Sequence, residues 1–526
     1  MTSSTDLGSS ARKRQSLWAF YCGCSAVTGG VALHLPMFMV ARDMNYHLAG
    51  MPMDRGMMFG MGLIVCGLVV AAFGLLPVNF RVERPKVQDL AISAPEDAPL
   101  RPAHIGLMLI LTLALIIDVM KPASLGFTIP GMIAEYGVPK ATVSLVPFSA
   151  LAGTVTGSIL WGLAADMWGR KATILLSAIM FVGTSICGAM PSLDWNIAMC
   201  FLMGAAAGGM LPVTYALLAE MMPSRHRGWS LVLVGGLGSV GGYFAASEMS
   251  ALFQPLFGWR ILWLANLPTG LLLVLLGLGI PESARFLMAH GRSAEAERAM
   301  RRFGAVVECK TLPTPGAQLL QRRDPSWSWT GRLAALSAAG ITWGLVNFGL
   351  LLWLPADLTT RGYSIGVASK LLTQSALIAF PLIFATAFLY GRCSAKGTLM
   401  GSLAVTALGL AGVLLLDLHS GASPVLPVAM LIVGSNALIA TLLPFVAESF
   451  PLVVRGRATG WIAACTKGGG LMAQALSIGA IFPSMGTAAL LILAPAAGSI
   501  ALIGWLCGET RGVDLRSLEP LNPRGE

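Results

Sequence analysis

Long apolar runs alternate with short polar breaks along almost the whole chain. Eight runs fall near 16–41, 56–79, 103–134, 142–166, 172–190, 196–219, 229–252 and 261–280. After a longer break, six more follow near 333–356, 366–391, 397–416, 425–446, 458–480 and 485–507. A helix that crosses the hydrocarbon core of a bilayer needs about 20 apolar residues. The pattern therefore predicts an all-α integral membrane protein with roughly fourteen spans. The first run follows Ala11-Arg12-Lys13-Arg14-Gln15, a start like that of a signal peptide. Its length, and the second run close behind it, favour a retained span.

Composition supports this reading. Of 526 residues, 55% are hydrophobic and only 11% charged, against about 25% charged in a soluble domain. The net charge of +10 would suit nucleic acid as a partner, but the basic residues sit in the short gaps between apolar runs and form no solvated face. Lipid, not nucleic acid, is the expected surrounding. With a cytoplasmic N-terminus, roughly 27 Lys/Arg fall on cytoplasmic segments and about 6 outside, which orients the chain with both termini in the cytoplasm. Two lysines, Lys121 and Lys467, remain inside apolar runs. The nine cysteines lie mostly within runs and read as small buried apolar residues, not as a disulfide frame.

Two breaks echo each other. Ala219-Glu220-x-x-Pro223-x-x-x-Arg227-Gly228 and Ala447-Glu448-x-x-Pro451-x-x-x-Arg455-Gly456 keep identical spacing, each after an inward-running span. Matching positions in two sets of six spans imply duplicated halves, the parallel-repeat plan of some secondary transporters. The expected organisation is an N-terminal extra hairpin (1–80), a cytoplasmic linker (81–102), a six-helix bundle (103–280), a cytoplasmic loop (281–331), a second six-helix bundle (332–508) and a cytoplasmic tail (509–526). Within the loop, residues 291–304 read as a short surface helix with Glu297 and Arg301 paired at i, i+4.

The segment "GLAADMWGRKA" (162–172) resembles the signature loop of the major facilitator superfamily, with Gly162, Asp166, Gly169, Arg170 and Lys171 at the expected positions. "PESARF" (281–286), the two echoing loops and "GLLLWLPADLTTRGYS" (349–364) resemble its sugar-porter and organic-ion branch. The seventh core helix lacks the glutamines of sugar porters, and its Trp353-Leu354-Pro355 looks more like carriers of aromatic acids and nicotinate. Those relatives often open core helix one with two aspartates and a proline nine residues after the second. Asp118 takes the first place here, Lys121 the second, and Pro130 follows nine residues later. An arginine of the fourth core helix, expected four residues before a glycine, is also absent: Cys200 precedes Gly204. The resemblance implies two six-helix bundles around a central cavity and gradient-driven alternating access, in a monomer of the cell (inner) membrane.

An ionisable side chain at bilayer depth faces a wet cavity or a partner. Asp118 and Lys121 can share a helix face and partly neutralise each other. In the family, core helices one and eleven border the cavity, and relatives of this branch carry a basic residue in helix eleven. Lys121 and Lys467 are thus the expected carboxylate site, with Asp118 as the proton-coupling group and Trp343, Asn347, Gln374 and Asn436 as further substrate contacts. The bland alternative makes Asp118 and Lys121 a structural pair and has Lys467 capping a carbonyl. Asp166, Arg170, Glu220, Arg227, Glu448 and Arg455, all at inner helix ends, form the expected cytoplasmic gate.

Together these features favour a proton-coupled carrier of an organic anion, with a multidrug or metabolite exporter as the rival. The extra hairpin is rich in methionine, and His34, Met37, Met51 and Met53 would suit copper(I), although methionine also fills apolar gaps. No motif for an enzyme, a cofactor or ATP occurs.

Overall fold

The computed structural model describes residues 4–75, 99–289, 292–304, 329–418, 424–450, 452–479, 481 and 484–511. Most of the two expected connecting segments and the tail from 512 lie outside them, as do the side chains of Asp166 and Arg455.

Thirteen helical segments among the described residues are long and apolar enough to cross a membrane. A further helix, Leu452–Ile478, is as long but carries Arg455, Arg457, Lys467 and several glycines. The order is α1 (Leu17–Met44), α2 (Arg55–Leu75), α3 (Pro102–Tyr136), α4 (Lys140–Ala165), α5 (Arg170–Ala189), α6 (Leu193–Met221), α7 (Arg225–Phe257) and α8 (Ile261–Gly279). Then come α9 (Trp329–Thr360), α10 (Ile365–Arg392), α11 (Ala395–Leu416), α12 (Val425–Ser449), α13 (Leu452–Ile478) and α14 (Met485–Leu506). The expected surface helix spans Ser293–Arg302 and carries the Glu297–Arg301 ion pair.

Helices α3–α8 and α9–α14 repeat one packing scheme. In the first set α3 lies on α7, α4 on α6 and α5 on α8; in the second, α9 lies on α13, α10 on α12 and α11 on α14. The sets meet along α7 and α10, along α4 and α13, and where α3 crosses α9. Small residues let these backbones touch. A Cβ at Gly126 would stand 2.5 Å from the Leu352 carbonyl oxygen, and one at Gly236 would stand 2.7 Å from Ile383. In lipid, where no hydrophobic force draws helices together, such close van der Waals contact and interhelical hydrogen bonds supply the association.

The extra hairpin follows the same logic. Gly23 and Gly30 of α1 face Gly67, Ala71 and Gly60 of α2, so that a Cβ on Gly30 would stand 2.6 Å from the Gly60 carbonyl oxygen. Glycine is required here by approach, not by turn geometry. The pair leans on α5 through Val27 and Ile64, which border Gly183. His34 Nδ1 hydrogen-bonds the Gly30 carbonyl at 2.8 Å, Met37 is buried in the apolar core, and Met51 and Met53 pack against that core.

A buried ionic knot fastens the loop between α1 and α2 to the first bundle. Arg260 Nη2 and Glu135 Oε1 are 2.7 Å apart, with side chains 0% and 1% exposed. Glu135 also accepts from the backbone N–H groups of Leu48 and Ala49 at 2.8 and 2.9 Å, and from Trp259 Nε1 at 2.7 Å. Arg260 donates to the Met190 and Gly188 carbonyls and to the Tyr136 hydroxyl. Three connecting segments thereby converge on one ion pair at the end of α3. Replacing Glu135 by Gln strands the buried guanidinium. We expect a loss of about 3–5 kcal/mol, read as a lower melting temperature in detergent, and partial recovery when Arg260→Met is added.

Candidate functional site

The two sets of helices enclose a cavity of roughly 140 Å³. Asp118, Phe127, Ser239 and Tyr243 line it from the first set; Trp343, Asn347, Phe348, Asn436 and Lys467 line it from the second. Its lining is mostly apolar and aromatic with a few polar groups, as in sites for small organic molecules.

Local backbone explains how α9 presents its share. The helix is regular over Trp329–Gly344, opens into a π-helical turn over Leu345–Leu351, and resumes over Leu354–Thr360 behind Pro355. A π-turn lowers the number of satisfied i→i−4 carbonyls and often marks a functional site. The Phe348 carbonyl is met by Gln474 Nε2 of α13 at 2.5 Å, and Gln474 Oε1 accepts from Trp353 Nε1 at 3.3 Å. Trp343 is fixed by its Nε1 donating to the Ser435 carbonyl at 2.9 Å and by an edge contact with Phe348 at 5.7 Å. Asn436 donates to the Ile432 carbonyl of its own helix at 2.7 Å and lines the cavity.

Lys467 stands beside this aromatic pair. Its Nζ is 5.6 Å from the Trp343 ring centroid and 5.7 Å from that of Phe348. The neighbouring glycines serve packing: Gly469 abuts the Ile341 carbonyl and Gly470 the Phe348 ring. Asp118, 5% exposed, looks into the same space from α3. No ion pair within 4 Å joins Asp118 to either lysine among the described residues.

Two expected contacts are corrected. Lys121 does not line the cavity; it is fully buried and turned toward α5. The regular part of α5 ends at Gly183 and tightens into a 3₁₀ turn over Thr184–Ala189. Lys121 Nζ donates to the Phe181 carbonyl at 2.5 Å and to Thr184 Oγ1 at 2.7 Å, and lies 4.3 Å from the Phe181 ring centroid. A cation at a helix C-terminus answers free carbonyls and the negative end of the dipole. So Lys121, not Lys467, is the carbonyl cap, and the expected Asp118–Lys121 pair is not formed. Gln374 is also displaced from the site: it is exposed on the outer face of α10, near exposed Leu377 and Ile378.

The charges at the Lys/Arg-rich ends form two matching networks. Arg170 Nη2 lies 3.4 Å from Glu220 Oε1, Ser283 Oγ donates to Glu220, and Glu282 accepts from the Arg170 N–H at 2.8 Å. Lys171 Nζ caps the Leu278 carbonyl at 2.6 Å. In the second set Thr510 Oγ1 donates to Glu448 at 2.9 Å, Glu509 accepts from the Ala395 N–H at 2.9 Å, and Lys396 Nζ caps the Gly504 carbonyl at 2.7 Å. Each acid anchors the start of the third helix of its set to the end of the sixth. Glu448 reaches across the seam: a Cβ on Gly228 would stand 2.9 Å from its Oε1, and the Arg227 charge acts on it. Arg170 and Glu220, by contrast, stay within one bundle. At the opposite end, Lys140 of α4 lies 4.8 Å from the Trp353 ring centroid of α9, a further contact between the sets.

The two capping acids differ electrically. Burial pushes the Glu282 carboxyl above the usual range despite the N–H groups of Ser283, Arg170 and Lys171. Burial also opposes ionisation of Glu509, but the Ser394 hydroxyl and the N–H groups of Arg511 and Ala395 outweigh it and hold that carboxyl below the usual range.

A model of the family described as Major Facilitator Superfamily matches residues 107–474, beginning after the extra hairpin. The niacin transporter NiaP of Acinetobacter baylyi (strain ATCC 33305 / BD413 / ADP1) is 25% identical over 395 residues, 73% of this chain and 88% of that protein. The 4-hydroxybenzoate transporter PcaK of Pseudomonas aeruginosa (strain PAO1) is 30% identical over 304 residues, 54% of this chain and 66% of that protein. Among solved structures, the proton:xylose symporter XylE bound to 6-bromo-6-deoxy-D-glucose aligns with a TM-score of 0.64 at 16% identity, covering 79% of this chain and 98% of that one. This last likeness is one of fold.

Replacing Gln474 by Leu removes the donor to the Phe348 carbonyl and should cost about 1–3 kcal/mol, read as a lower melting temperature in detergent. A second expectation concerns pH. Because the folded-state pKa of Glu509 is depressed, its contribution to stability is present above the ordinary glutamate value of 4.5 and lost as pH falls through the lower folded value. Melting temperatures measured on the acid side should therefore fall less steeply in Glu509→Gln than in the wild type.

Proposed function

The chain belongs to the Major Facilitator Superfamily, a transporter with a multi-pass membrane fold, and on that premise we propose that it carries an aromatic monocarboxylate by proton-coupled alternating access. The observation that carries the reading is the meeting of Lys467 and Asp118 on one aromatic cavity without a direct ion pair. The names of the niacin and 4-hydroxybenzoate transporters support the same substrate class.

In this reading the Lys467 ammonium receives the carboxylate, while Trp343 and Phe348 flank the ring and the Asn347 and Asn436 amides meet polar edges. Charge balance gives the coupling. Empty, the cavity holds Lys467⁺ and Asp118⁻; loaded, it holds Lys467⁺, the substrate carboxylate and protonated Asp118. Both forms are neutral within the site. A cavity carrying only the proton or only the anion has a net charge, which low dielectric surroundings penalise. One proton therefore accompanies one carboxylate.

The two bundles rock around this fixed site. The Glu448 contact with Arg227 and Gly228 then shuts the cytoplasmic side, and Lys140 on Trp353 shuts the outer side. Both termini lie in the cytoplasm, the unit is a monomer of the cell membrane, and a proton gradient drives uptake.

Purified protein in proteoliposomes tests the reading. Lys467→Ala should weaken binding of benzoate and 4-hydroxybenzoate about 100-fold, the size expected for a lost charge-assisted hydrogen bond. Sugars stabilising both versions equally, with no acid doing so, would end the anion reading. Asp118→Asn fixes the protonated form of the site. It should retain substrate exchange across the membrane while losing accumulation driven by an imposed pH gradient; a variant that still accumulates substrate removes Asp118 from the coupling.

A further inference from the structure

Tyr243 carries a hydroxyl that nothing in the protein answers. The residue lines the cavity, its oxygen is buried, and it has no hydrogen-bond partner among the described residues. A buried phenol left unpaired is costly and in native proteins usually finds a partner. Its position is rigid. Gly242, one residue earlier on α7, presses on Val119 so closely that a Cβ would stand 2.6 Å from the Val119 Cβ, which sets Tyr243 near the level of Asp118. The Phe127 ring holds the phenol from the side, with centroids 5.8 Å apart. Ser239, one turn earlier on the same helix, also lines the cavity.

The wall that Tyr243 occupies belongs to the first bundle, whereas Lys467, Trp343 and Phe348 belong to the second. A flat acid whose carboxylate rests on Lys467 extends its ring away from α13 and brings its far edge toward α7. We propose that Tyr243 is a specificity-determining residue that hydrogen-bonds a polar group on the ring edge remote from the carboxylate, a phenolic hydroxyl or a ring nitrogen. The inference rests on the reading of Lys467 as the carboxylate site. It narrows the substrate class from aromatic acids in general to those bearing a hydrogen-bonding group opposite the carboxylate. A bare benzoate would leave the phenol unpaired, and a site built to pair a hydroxyl rejects the analogue that lacks it far better than an apolar pocket rejects an added group. The substrate then links both bundles, its carboxylate on the second and its distal group on the first.

Dissociation constants of benzoate and 4-hydroxybenzoate, measured by calorimetry on purified wild type, Tyr243→Phe and Lys467→Ala, test this. Wild type should bind 4-hydroxybenzoate about tenfold more tightly than benzoate, and in Tyr243→Phe the ratio should fall to near one. Equal binding of the two acids by wild type overturns the inference without recourse to any variant. So does a Tyr243→Phe variant that weakens both acids in the same proportion. Failure of both acids to bind wild type, or undiminished binding by Lys467→Ala, overturns the reading of Lys467 instead.

Discussion

Ionised side chains inside hydrocarbon persist only where something receives their charge, and this constraint arranges the protein. Three solutions occur here. Lys121 places its charge on the Phe181 carbonyl and the Thr184 hydroxyl where α5 tightens into a 3₁₀ turn. Glu135 and Arg260 neutralise each other and satisfy their remaining hydrogen bonds on loop backbone. Asp118 and Lys467 are received by the cavity and by each other's field, with no direct contact. The first two solutions are met by protein groups within the first bundle and its hairpin, and are structural. The third leaves binding capacity unused, and the proposed transport site draws on that capacity.

The same constraint shapes the helix ends. Glu282 and Glu509 sit at the starts of α5 and α11, where unpaired N–H groups and the positive end of the dipole favour an anion. Lys171 and Lys396 answer the carbonyls at the ends of α8 and α14. Each half thus ties its third helix to its sixth with one acid and one base in the same relative places. The hydroxyls of Ser283 and Thr510 extend the match to Glu220 and Glu448. The duplication is deeper than the echoing loops indicate.

Much of this was legible in the chain. Run length predicts the all-α membrane fold, and the signature loop predicts the superfamily, because both depend on local composition. Asp118 and Lys467 could be singled out because a charge in an apolar run needs a reason. Lys121 carries the same signal, yet its direction depends on where α5 stops being α-helical, a tertiary fact that i, i+3 spacing does not hold. Gln374 looked internal for being polar in an apolar run, but the buried face of α10 is carried by Ser369, Thr373 and Ala376; nothing in the structure explains an amide on the opposite face. Gln474 and Tyr243 were missed for a related reason: neither is charged, and their roles depend on a π-turn and a cavity that appear only on folding. Glu282 stood inside a quoted motif, and only coordinates connect it to the N–H of Arg170.

Rocking of two bundles requires a seam that holds without locking. Along α7 and α10 the contacts are of that kind. Ser250 meets Ser369 at 2.7 Å, Thr373 donates to Ser247 at 3.0 Å, and Gly236 and Gly391 admit Ile383 and Trp229. Hydroxyl pairs between membrane helices contribute about 0.6 kcal/mol each, and either hydroxyl can turn to a carbonyl of its own helix, as Ser247 does toward Phe244. Breaking such a pair strands no charge and opens no large void. The strong buried ion pair, by contrast, lies within the first bundle and ties the hairpin's loop to it. Strength is thus placed inside one bundle, and weak, replaceable contacts are placed along the seam where the proposed rocking would have the two bundles slide. The extra hairpin is fixed to that bundle by α5 and by Glu135, so in the proposed rocking it belongs to the first bundle's side of the seam.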